Sequence, residues 1–193
     1  MFMSTLYFHI KIIIHLYIMV LLLRSWLHII NYNYENAFVE TIIKITDPVI
    51  EFLRYTSGYK NNFIKTSALI IIAFLLSTLK FPLVVFIQEG LLPFLSYASI
   101  MNLIIIGLIT FSKSIGLLII EVITLNLFRR WILDDYYPID AVLEELSESV
   151  LNPIRTIIPV VWEIDFSPLI LVIIIYLINY LCWNLFPIMW QFV

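Results

Sequence analysis

The chain is short of the residues on which soluble proteins depend. Only 13% of its 193 residues are charged, against about 25% in an ordinary globular domain, while 62% are hydrophobic and the mean hydropathy is +1.01. Water cannot hold so much apolar surface, which excludes a soluble enzyme, a disordered regulator and a small secreted domain. Cysteine is nearly absent too. Cys182 stands alone inside an apolar run, so no internal disulfide can form. The three histidines, His9, His15 and His28, share no ligand spacing with it, and no metal or cofactor is expected. An excess of positive charge is also missing. A net charge of −3 and a pI near 5.5 leave no basic footprint for phosphates, so nucleic acid is not an expected partner.

What the chain has instead is long apolar runs. The first covers about residues 6–30, interrupted by Lys11, His15 and Arg24, and suits a crossing that needs ~20 apolar residues. Lys11 inside the run, and the lack of a small-residue cleavage site before Trp26, favour a retained span over a signal peptide. A second span is predicted over about 68–87, with Thr66 or Ser67 as its N-cap. Apolar residues 91–111 and 115–127 follow, parted only by Ser112, Lys113 and Ser114. Together they exceed one crossing of a ~30 Å core, which predicts either a tight turn at Lys113 or one crossing plus a re-entrant or surface segment. The last span, about 168–187, opens at Ser167-Pro168, an N-cap followed by proline at the first helical position.

Two polar stretches between the spans carry helical stripes. In the first, over 37–55, Phe38, Ile42, Ile45, Val49 and Phe52 recur at three- or four-residue steps opposite Glu40, Lys44, Asp47, Glu51 and Arg54. Pro48 is expected to bend or divide it. In the second, over 138–158, Ile139, Val142, Leu143, Leu146, Val150, Ile154 and Ile157 oppose an acidic face of Asp140, Glu144, Glu145 and Glu148, with Asp134 and Asp135 upstream and Pro153 as the break. These acids lack the spacing and glycine turn of a calcium loop and read as a solvated face.

The chain repeats itself. Leu22-Leu23-Arg24-Ser25-Trp26-Leu27 matches Leu127-Phe128-Arg129-Arg130-Trp131-Ile132, and Phe52-Leu53-Arg54 matches Pro153-Ile154-Arg155. The predicted fold class is therefore an all-α membrane protein of two tandem repeats, each a transmembrane helix, an amphipathic interfacial segment and a transmembrane helix, with four to five crossings. Residues 1–88 form the first repeat, 89–112 an apolar connector, re-entrant or an extra span, and 113–193 the second repeat, whose first span is about 114–132.

Asn152-Pro153-Ile154-Arg155-Thr156-Ile157-Ile158-Pro159 followed by Ile164-Asp165-Phe166-Ser167-Pro168 resembles the repeated Pro-Ile-Arg and Ile-Asp-x-Ser-Pro pattern of the YggT family of small bacterial membrane proteins, related to the YlmG proteins of cyanobacteria and chloroplasts. The first copy keeps Asp47-Pro48-Val49-Ile50 and Arg54 but has Ile64-Lys65-Thr66-Ser67 where Ile-Asp-x-Ser-Pro would stand. The resemblance implies a multi-pass protein of the bacterial inner (plasma) membrane, linked to osmotic tolerance, division and nucleoid organisation, with no reaction established.

Ionisable groups inside spans cost ~2.5–3.5 kcal/mol at a helix centre, so Lys11, His15, Lys80, Lys113 and Glu121 need explanation. The lysines are expected near helix ends, reaching the headgroups. Glu121, deep in an apolar run, is expected to be neutral, paired or turned to the bundle interior, with Lys113 two turns away. Arg54 and Arg155, with Arg24 and Arg129, are candidates for gripping lipid phosphate or a partner. Asp165 and Ser167 have no histidine near them in sequence and read as helix-capping residues, so no catalytic group and no enzyme are expected.

The leading expectation is a structural or accessory membrane protein whose partners are membrane lipids and other membrane proteins or its own copies. The alternative is a small ion or solute transport component. With four crossings both amphipathic segments share one side and gather Arg24, Lys44, Arg54, Lys60, Lys65, Arg129, Arg130 and Arg155, which places that side in the cytoplasm. With five, the repeats are inverted and the segments lie on opposite sides.

Overall fold

A mostly apolar run with no glycine or proline makes the first span one long helix. A computed structural model describes residues 2–32, 36–57, 62–89, 100–132, 137–158 and 165–187. Among these residues the elements are six helices and no strand: α1 Phe2–Ile29, α2 Ala37–Ser57, α3 Asn62–Glu89, α4 Ile100–Ile132, α5 Pro138–Ile157 and α6 Ser167–Leu185. Four contain stretches long and apolar enough to cross a membrane: Phe8–Ile29, Thr66–Ile87, Ile100–Arg129 and Ser167–Leu185. The connector residues 90–99 lie outside the described residues.

The apolar core holds Ile18, Leu21 and Leu27 of α1, Leu69 and Ala73 of α3, and Leu118 and Val122 of α4. Val39 and Ile42 of α2 and Val142, Leu143 and Leu146 of α5 belong to that same cluster. The two amphipathic helices thus seal the bundle. Helix α6 docks at its side, where Leu171 packs with Ile123 and Leu151. Its remaining faces are apolar and exposed, as a helix facing lipid should be.

Small residues let α3 and α4 approach closely. A Cβ added to Gly107 would sit 2.0 Å from Thr78 Cγ2, so this contact requires glycine. Farther along, Phe74 meets Phe111 edge to face at 5.7 Å. The buried Ser77 and Ser114 hydroxyls donate to the Ala73 and Thr110 carbonyls, at 2.8 and 2.9 Å, and need no partner from another helix.

Several sequence expectations change. Of the two alternatives for residues 91–127, the tight turn at Lys113 does not form: Lys113, where the second repeat was expected to begin, lies inside the continuous helix α4. Serine and lysine do not stop a helix when the hydroxyl bonds back to its own turn. Helix α3 begins at Asn62, so Thr66 and Ser67 lie within it rather than capping it. Pro48 and Pro153 do not divide α2 and α5, since each helix continues through its proline. The buried stripe of α2 is Val39, Ile42 and Thr46, whereas Ile45 is 48% exposed. The helix is rotated from its simplest apolar stripe because Thr46 and Asp47 must meet a buried arginine.

Candidate functional site

The described residues that the sequence marked as chemically interesting gather in two places, and the larger is where α2 and α5 meet the ends of α1 and α4. Helix α1 stops in a C-terminal turn built on Asn31, whose φ of 54° is the left-handed conformation asparagine tolerates. The Tyr32 N–H returns to the Leu27 carbonyl at 3.1 Å and the Asn31 N–H to His28 at 3.3 Å, satisfying the open end of the helix. This turn fixes the direction in which the chain enters α2.

One turn before that end, Arg24 is only 6% exposed. Its guanidinium pairs with Asp47 at 2.9 Å, donates to the Ile43 carbonyl at 3.1 Å and donates to the Thr46 hydroxyl. Thr46 in turn donates to Ile42, at 2.7 Å. Pro48 lacks the N–H that would close on Lys44, and the guanidinium supplies a donor to the adjacent Ile43 carbonyl. A charge that would be costly among the spans is thereby neutralised by a surface helix.

Arg129, its counterpart at the end of α4, pairs with Asp140 in the first turn of α5 and lies 5.0 Å from the centre of the Tyr137 ring. Asp140 also accepts the Tyr137 backbone N–H, so one carboxylate both caps α5 and holds the arginine. At the far end of α5, Arg155 donates through Nε and Nη2 to Asp165, at 2.9 and 2.7 Å, and through Nη1 to Asn152 at 3.1 Å. Glu148 stands 3.8 Å from Nη1. Asp165 accepts the Ser167 N–H at 2.9 Å, so the cap of α6 is the Asp165 side chain rather than Ser167, with Pro168 just inside the helix. Partial burial pushes the Asp165 carboxyl up, but hydrogen bonding from Ser167 and Arg155 outweighs it and holds the group below its ordinary value.

Arg24, Arg129 and Arg155 are therefore each engaged by a carboxylate of this chain. The Arg54 side chain, Lys60, Asp134 and Asp135 lie outside the described residues. Two contacts tie the repeats together. Asn36 Nδ2, at the start of α2, donates to the Pro138 carbonyl at 2.6 Å, and Trp26 Nε1 donates to Ser149 Oγ at 3.0 Å. Both amphipathic helices consequently lie at one end of the bundle, the placement expected of the four-crossing arrangement. Neither contact is foreshadowed by spacing; Trp26 was visible only as part of the repeated motif.

The second gathering lies inside the bundle. Lys80 of α3 is 5% exposed, and it is buried against protein rather than extended to headgroups. Lys113 lies in mid α4, far from a helix end. Lys11 of α1 lies within electrostatic reach of both, and His15 within reach of all three lysines. Glu121 does not join them. It is exposed on the outward stripe of α4 with Thr124, Leu125 and Phe128, because Leu118, Val122 and Ile123 take the inward face. Among the described residues no three His, Cys, Asp or Glu side chains gather as a metal site.

This architecture defines a multi-spanning membrane protein of two repeats whose surface helices are tied by arginines at one end. The chain belongs to the CCB3/YggT family, whose profile matches residues 3–58 and 101–186. It is 36% identical over 177 residues to an uncharacterised protein, YggT, of Escherichia coli K12, covering 92% of this chain and 88% of that protein. An uncharacterised protein of Haemophilus influenzae is 35% identical, covering 86% of this chain and 85% of its own length. An uncharacterised protein from the region 3′ of proC in Vibrio alginolyticus is 31% identical, covering 97% of this chain and 98% of its own length. No solved structure matches the chain.

Proposed function

We propose that this protein is a structural or accessory component of the bacterial inner membrane, not an enzyme, and that α2 and α5 together form a platform on its cytoplasmic face. The observation that carries this reading is the joining of the start of α2 to α5 through Asn36 and Pro138, beside the Trp26–Ser149 contact between the end of α1 and α5. Most of the arginines and lysines accompany that end, the distribution characteristic of a cytoplasmic side. The polar faces, with Glu40, Lys44, Glu144 and Glu145 exposed, are available to partner proteins, while the flanking spans meet lipid. The role served is maintenance of membrane organisation under osmotic stress or during division.

Complementation of a deletion strain under osmotic stress tests this. Leu146→Asp, which should detach α5, is expected to fail at normal membrane abundance, and full growth would contradict the platform. Flux into liposomes holding the purified protein should equal that of empty vesicles. Flux above that level would instead favour an ion or solute transport component.

A further inference from the structure

Helices α3 and α6 hold the same place in the two repeats, and Ser67 and Ser167 set their correspondence at an offset of 100 residues. They face opposite ways. On α3, Leu69, Ala73, Ser77 and Lys80 are buried in the bundle, while Ile71 and Leu75 are exposed. On α6 the corresponding Leu169, Ile173, Leu177 and Tyr180 are 48% to 59% exposed. The counterparts of the exposed pair, Leu171 and Ile175, are the ones that pack against the cluster of Ile123 and Leu151. Ile175 also lies so close to Gly116 of α4 that a Cβ there would stand 3.1 Å from its Cγ2, which fixes the rotation of α6. Helix α6 thus docks with the side that α3 turns outward and leaves open the side that α3 buries.

Lipid can cover the aliphatic part of that open side, but not its polar groups. Leu169, Ile173, Tyr176, Leu177, Tyr180 and Asn184 share the outward face at helical spacing. Tyr176 is the middle residue of α6, about 13 Å from either end at 1.5 Å per residue, far from the headgroup layers where membrane tyrosines normally sit. It is 69% exposed, and its hydroxyl has no partner among the described residues. A hydroxyl in hydrocarbon is costly until it finds one on another helix. The chemistry of the face suits a copy of itself. It carries no charge, so like faces meet without repulsion, and a tyrosine hydroxyl or an asparagine amide both donates and accepts, so identical groups can pair across a two-fold axis.

We propose that the outward face of α6 is a homodimer interface, on which the same face of a second copy packs in parallel and Tyr176 meets its own counterpart. The two-fold axis runs along the membrane normal, because both copies insert the same way. The second copy gives this face the burial that the matching face of α3 receives inside the bundle, where Leu69 and Ala73 pack with Ile18 and Leu21 of α1. The interface takes no part in the platform, so the two readings stand or fall separately.

The test is disulfide cross-linking of the full chain in native membranes, one cysteine at a time in a Cys182→Ser background. Oxidation should convert most of Ile173→Cys and Leu177→Cys to a species of twice the chain mass. Leu75→Cys, on the exposed stripe of α3 at the matching place in its helix, should give little or none. The mass identifies the occupant: a product of any other mass would overturn the second copy. Failure of both α6 positions to cross-link, or equal product from Leu75→Cys, would overturn the interface. Dilution of the purified protein into liposomes reads the hydroxyl. Tyr176→Phe keeps the ring and should weaken dimerisation several-fold. An unchanged dimer fraction in Tyr176→Phe would overturn the pairing of Tyr176 across the axis.

Discussion

The two repeats solve one problem with different acids. In the first, Arg24 reaches from the end of its span into the middle of α2 and is held by Asp47, Thr46 and the Ile43 carbonyl. In the second, Arg129 is held by Asp140 in the first turn of α5, and Glu148, which stands in the repeat where Asp47 does, lies near Arg155 instead. What persists is the tie between the end of a span and the amphipathic helix after it; the acid that makes the tie has moved. The second repeat adds a latch, Arg155 to Asp165, at the return into the membrane. The first has Lys65 where that acid would stand.

Release of one surface helix should have the largest effect. Leu146 of α5 is fully buried, whereas Ile45 of α2, which belongs to the simplest apolar stripe, is 48% exposed. A carboxylate at Leu146 should cost several kcal/mol, about 3 or more, and expose α5 to protease in membranes. Ile45→Asp should change cleavage little. Protection of α5 in Leu146→Asp would contradict its docking.

Next in size is the arginine tie. Arg24→Ala leaves Asp47 without its cation and removes donors from Thr46 and Ile43, a loss of about 2–4 kcal/mol, softened because Asp47 is partly wet. Arg24→Lys keeps the charge but not the fork that reaches three acceptors, and should lose about half as much. Equal thermal midpoints of Arg24→Lys and the parent in detergent would refute the geometric part of the account.

The latch should be weaker and pH-dependent. Since folding holds the Asp165 carboxyl below its ordinary value, its contribution is fully present above the unfolded carboxylate value of about 3.9 and is lost as pH falls through the lower, folded one. Asp165→Asn should cost about 1 kcal/mol at neutral pH, a difference that closes on acidification below pH 4. A gap between the two proteins that persists at the acid end would rule out the ionised latch.

Much of this fold is legible in the sequence because membranes impose length and apolarity on each span, and the repeated Arg-containing motif marks where spans end. The residues that matter at the platform were partly visible. Arg24, Asp47, Arg129, Arg155 and Asp165 stood out by charge and repetition, but the carboxylates that hold the arginines lie 10 to 23 residues away and follow no helical spacing. A guanidinium beside a predicted membrane surface therefore reads as a lipid contact until the packing of the surface helix is known. Helix α4 shows the opposite failure. Ser112-Lys113-Ser114 looks like a turn in a hydropathy reading, yet the Ser114 hydroxyl bonds to its own helix, and the segment runs straight through. Glu121 failed for a simpler reason: in a four-span bundle each helix keeps an outward face, and periodicity alone does not say which face that is.

The shared membrane face of α2 and α5 is read out by membrane-impermeant thiol labelling of Glu40→Cys and Glu144→Cys, both exposed positions, in a Cys182→Ser background. Both cysteines should resist reagent in intact cells, and both should react in inverted vesicles. Labelling of the two from opposite sides would contradict the shared platform.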